Sequence, residues 1–82
     1  MWVDEAERIE ISVELLAALM AEYSRQLEEL YLVTPYDEFK ILELKAQRKN
    51  HQLELIRVRK GDPQVIEQVL THYPERLEHL SV

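Results

Sequence analysis

The chain has no cysteine, and that one absence removes disulfides, thiol nucleophiles and thiolate metal sites together. Glycine occurs once, at Gly61, so there is no glycine-rich turn to cradle a phosphate. No apolar run approaches the roughly 20 residues that a membrane span needs. The segment Met1-Trp2-Val3-Asp4-Glu5 also lacks the basic flank and continuous apolar stretch of a signal peptide. A soluble, cytoplasmic protein without membrane insertion is the expectation. Basic side chains are in the minority, ten against sixteen acidic ones, and a net charge of -6 disfavours general polyanion binding.

What is present is helical periodicity. Ala6, Ile9, Val13, Leu16, Met20, Tyr23, Leu27 and Leu30 follow one another in steps of three and four, the seam of a long helix that lies against other helices. Asp4 with Glu7 forms a capping-box-like start, which predicts a first helix over about 4–32. Ile9, Ile11 and Val13 alternate and Ser12 is a capping residue, so residues 8–13 also read as a short extended arm, although the register favours the early start. A second file, Ile11, Leu15, Ala18, Leu19 and Leu32, widens the apolar arc of this helix.

Thr34-Pro35 is the clearest internal boundary, with a capping side chain before a proline and Asp37 and Glu38 at the positive end of the dipole. It predicts a second helix over about 35–60. Phe39, Leu42, Ala46, Leu53 and Ile56 lie on one face of it, and Ile41, Leu44, Leu55 and Val58 on an adjacent one. The section Lys45–Gln52 is polar apart from Ala46, and packing is expected to be weakest there. Lys49, Asn50, His51 and Gln52, near the seam, read as a wet interruption or a partner-selecting contact.

Arg59-Lys60-Gly61 is a stop signal and Asp62-Pro63 a fresh start, so a third helix is predicted over about 63–72. Tyr73-Pro74 should end or kink it, with a short C-terminal turn at about 75–80. The whole is a single all-α domain, residues 1–82: two long antiparallel helices in a hairpin plus a short C-terminal helix. The third helix covers only one end of the hairpin. The remaining apolar surface predicts a homodimer with a four-helix-bundle-like, coiled-coil-related core.

Charge is divided along the chain. Residues 1–33 carry eight acids and two bases, residues 34–61 four acids and seven bases, and residues 62–82 four acids and one base. The second helix is therefore the only basic element, and Lys45, Arg48, Lys49 and Arg57 are the candidates for a short nucleic-acid-binding stripe. His51, His72 and His79 have no metal-ligand spacing, and Glu75 with His79, one turn apart, is an ordinary solvated pair. Glu10, Glu14, Glu28 and Glu29 read as surface residues of an acidic helix, and Ser12 and Ser24 have no base partner. No enzyme activity, cofactor or metal is implied.

In helix order and in the stretch Leu15-Leu16-Ala17-Ala18-Leu19 the chain is similar in outline to the all-helical chorismate mutases, which dimerise through a long first helix. That resemblance implies a dicarboxylate held by basic side chains, for which Arg8, Arg25 and Lys40 are the available cations. The acidic-apolar pair before the leucine run and the ordered basic ligands of that family are not matched here, so no active site is carried over.

The functional expectation is a noncatalytic protein-protein interaction module, an adaptor or regulatory subunit acting through an exposed apolar helix face. Its interface residues are expected to be Ile9, Val13, Leu16, Met20, Tyr23, Leu27, Leu30, Tyr31, Tyr36 and Phe39, the last three gathering beside the turn, where they read equally as a cap closing a small core. Trp2 and Tyr73 also fall near predicted helix ends. The rival readings are a nucleic-acid-binding or assembly factor using the basic helix, and a small structural component of a larger complex.

Overall fold

The computed structural model describes residues 4–80, and these form three helices and no strand: α1 (Glu5–Tyr31), α2 (Glu38–Arg59) and α3 (Pro63–Leu80). Asp4 starts α1 by accepting the Glu7 N–H at 2.8 Å, and Glu5 and Glu7 sit in the first turn, where the dipole favours negative charge. With neither glycine nor proline to stop it, α1 runs for 27 residues, about 40 Å at 1.5 Å per residue. It is helical throughout residues 8–13, so the extended-arm alternative does not occur. The helix tightens at its end, with the Leu32 N–H on Glu29 and the Val33 N–H on Leu30.

The second helix starts three residues later than Thr34-Pro35 suggested. Pro35 lies in the connection, after a cis Thr34–Pro35 bond, and the cap is Asp37, whose carboxylate accepts the Lys40 N–H at 3.0 Å. Two capping signals compete within four residues, and aspartate is the stronger capping side chain of the two.

Between α2 and α3 the stop and start signals act as a unit. Gly61, at φ +81°, donates to Val58 while Asp62 donates back to Arg57, the paired bonds of a Schellman ending. Asp62 then accepts the N–H groups of Gln64 and Val65, and Pro63 occupies the first position of α3, where no N–H is required.

Tyr73-Pro74 does not end the third helix: α3 continues through Pro74 to Leu80. An interior proline costs about 3 kcal/mol. Here Tyr73 is buried on one side of it, and Leu77 and Leu80 on the other pack against the core, which offsets that cost.

The core combines Leu16, Leu19, Tyr23 and Leu27 of α1, Ile41, Leu44 and Val58 of α2, and Val65, Ile66, Val69 and Tyr73 of α3. Helix α1 is the shared element: it packs along both others, which touch each other much less. Cross-contacts between α1 and α2 include Tyr31 with Lys45, Ser24 with Arg48 and Tyr23 with His51, stepping down one helix as they step up the other. The molecule measures 50 × 24 × 14 Å. Each helix keeps exposed positions along its outer side.

Candidate interaction surface

Helix α2 carries two 3–4 files on roughly opposite sides. The inward file is Ile41, Leu44, Arg48, His51, Leu55 and Val58. Of these, Ile41, Leu44, His51 and Val58 are buried and Leu55 packs against the core. The outward file is Phe39, Leu42, Ala46, Lys49, Leu53 and Ile56, and all six positions are exposed. Phe39 is 80% exposed, Leu42 66%, Leu53 51% and Ile56 49%. Leu32, Val33, Tyr31 and Tyr36 extend this apolar strip around the α1–α2 connection. This exposed apolar strip, interrupted by Lys49, is the candidate interaction surface.

The seam of α1 is a different matter. Leu16, Tyr23 and Leu27 are buried by the chain's own helices, and Ile9, Val13, Met20 and Leu30 pack partly buried against the same core. These seven residues are therefore largely spent on the internal core. Tyr31, Tyr36 and Phe39, by contrast, are exposed beside the connection. Tyr31 and Tyr36 meet edge-on with centroids 5.9 Å apart, and Lys45 lies 5.7 Å over the Tyr31 ring. Trp2 lies outside the described residues.

The section of α2 expected to pack most weakly contributes one buried residue, His51, to a polar cluster. His51, 4% exposed, stacks on Tyr23 at 5.5 Å and meets Tyr73 edge-on at 5.2 Å. One Glu54 carboxylate serves both partners: its Oε1 lies 2.7 Å from His51 Nδ1 and its Oε2 accepts the Tyr73 hydroxyl. Arg76 covers the Tyr73 ring at 4.9 Å. Burial, and secondarily the bond to Glu54, pushes the Tyr73 phenol well above its ordinary value, and burial likewise raises Tyr23. The signal for this cluster was in the sequence, since the inward file reaches His51 in steps of three and four from Ile41. The polarity of its neighbours concealed it.

Beside the cluster is an open cleft of about 650 Å³, whose wall includes Lys40, Glu43, His51, Glu54 and Arg76. Its wall mixes cations with carboxylates. Ser12 is fully buried with no protein hydrogen-bond partner for its hydroxyl, and Ser24 accepts from Arg48 at 3.0 Å. Glu75 and His79 approach to 3.8 Å on an exposed turn.

The basic residues do not form one stripe. Arg48 is half-buried against α1 and Lys45 leans on Tyr31, whereas Lys49 lies in the outward file and Arg57 is exposed at its C-terminal end. The cations suggested by the chorismate mutase resemblance are also dispersed. Arg8 pairs with Glu67, Arg25 with Glu22 and Glu29, and Lys40 with Glu43. The Arg25 guanidinium holds the Glu22 carboxyl below its usual range.

Among the described residues no helix is long and apolar enough to cross a membrane. In comparisons with known proteins, no family model, curated protein or solved structure matches the chain.

Proposed function

We propose that this chain is a noncatalytic protein-protein interaction module, an adaptor or regulatory subunit that works by presenting one rigid helix face. The observation that carries this reading is the outward file of α2. Phe39, Leu42, Leu53 and Ile56 are exposed although an inward file on the same helix already supplies the core. Surface leucines scattered singly are ordinary, but four large apolar side chains in one 3–4 register are not. The α1–α2 connection adds Tyr31 and Tyr36, whose rings bring apolar area and a hydroxyl together.

The surface offered for binding is thus the back of α2 and the adjoining turn, and not the α1 seam. The test is site-specific photocrosslinking in the native cell, with the photoreactive residue at Leu42 or Leu53 and, as a control, at exposed His72 on α3. Polypeptide adducts are expected from Leu42 and Leu53, suppressed by Phe39→Asp, and not from His72. Adduct yields at Leu42 and Leu53 no higher than at His72 would overturn the reading.

A further inference from the structure

We infer that the outward face of α2 is covered by α2 of a second copy of this chain, packed antiparallel about a two-fold axis. This rests on the interaction-module reading and specifies the occupant. The first argument is the spacing. The steps from Phe39 to Ile56 are three, four, three, four and three, a pattern that is the same from either end. Two copies laid head to tail therefore bring every position of the file onto a position of the same file. Phe39 meets the partner's Ile56, Leu42 meets the partner's Leu53, and Ala46 meets the partner's Lys49. The small alanine leaves room for the lysine stem to lie across it while its ammonium reaches solvent.

Charge decides the direction. In the antiparallel arrangement Glu38, on the flank of the file, comes opposite the partner's Arg59, and the two-fold axis repeats that pair. On the same flank Lys45 faces the partner's Gln52, and on the other Glu43 faces the partner's Asn50, so the flanking pairs hold no like charges and the two Lys49 side chains are staggered by one turn. A parallel, in-register pair places Lys49 against the partner's Lys49 in the apolar seam and Glu38 beside the partner's Glu43. Both contacts are repulsive.

The two ends of the face differ in their charged residues. A hollow of about 330 Å³ at the N-terminal end of the face is bordered by Tyr31, Tyr36 and Glu38. Another of about 450 Å³ at the C-terminal end is bordered by Leu53, Glu54, Arg57 and Lys60. The two-fold axis brings the end of one copy that carries Glu38 beside the end of the other that carries Arg57 and Lys60. The result is a six-helix assembly in which the two α2 helices form the centre and each α1 and α3 lies outside.

Sedimentation equilibrium of the full chain, from micromolar to millimolar concentration, should show twice the 9.8 kDa chain mass. Leu42→Glu should weaken the dimer at least about tenfold with helix content unchanged, because Leu42 lies outside the internal core. Glu38→Arg and Arg59→Glu should each weaken it, and the double exchange should restore it. Because the chain has no cysteine, mixing Leu42→Cys with Leu53→Cys reports direction directly. Disulfides between the two variants are expected. Disulfides of Leu42→Cys with itself, or a dimer indifferent to Leu42→Glu, would overturn the proposal. A chain that is monomeric throughout would also overturn it, and crosslinks from Leu42 to a different polypeptide would then leave the interaction-module reading standing.

Discussion

His51, Glu54 and Tyr73 show how much one buried polar group organises around itself. An imidazole taken out of water needs partners, and here two aromatic faces and one carboxylate supply them. The Tyr73 phenol gives this cluster a pH signature. Its proton is held more tightly in the folded chain than at the ordinary value of 10.0, chiefly because burial disfavours the phenolate. A group whose folded value is raised contributes stability that is complete below its unfolded value and is lost as pH climbs toward the folded one. Melting temperature should therefore fall once pH passes about 10. Tyr73→Phe, which removes the titrating group, should flatten that decline while costing about 1 kcal/mol at neutral pH through the lost bond to Glu54. Tyr23, raised by burial too, keeps some slope in the variant. Thermal melts followed by circular dichroism across neutral to alkaline pH measure both effects, and an unchanged alkaline slope would count against the assignment.

Among the elements, the α2–α3 junction shows local chemistry and tertiary packing in agreement. Gly61 adopts a left-handed φ of +81°, and a Cβ built there meets nothing within 4 Å, so the cost of a side chain is conformational and not steric crowding by neighbours. Gly61→Ala should destabilise the chain by about 1 kcal/mol, read as a lower urea midpoint with an unchanged slope. The other two proline signals behaved differently. Pro35 stood near a stronger capping residue, and Pro74 stood in a helix whose distal leucines had a core to join. A proline reports a local preference, and about 3 kcal/mol is within reach of a few buried side chains.

At the scale of the whole molecule, the small number of helices is the governing property. Helices α1 and α3 meet the inward side of α2 and leave Phe39, Leu42, Leu53 and Ile56 on its back exposed. Core positions and the outward file of α2 should consequently respond differently to truncation. Leu16→Ala, at a fully buried position, should cost about 2–5 kcal/mol. Phe39→Ala, at 80% exposure, should leave the unfolding free energy of the dilute chain nearly unchanged while reducing association. Denaturant titration at two protein concentrations separates the two, since only stability that depends on association varies with concentration. Equal losses at both positions would mean that Phe39 is covered within the chain. For the same reason aspartate at Leu16 or Leu27 disrupts the fold itself and says nothing about binding.

The sequence by itself determined that the chain is helical, that Asp4 opens the first helix, and that Gly61-Asp62-Pro63 separates the last two. These follow from capping atoms, dihedral limits and apolar spacing, which act within a few residues. Only the tertiary structure decided which of several 3–4 files faces inward. The α1 seam was legible as apolar, but its assignment to the internal core required knowing that α2 and α3 both lie along it. The two files of α2 are alike in spacing, and burial of His51 with exposure of Phe39 depends on which side meets α1. Periodicity specifies that a face is apolar; only packing specifies what covers it.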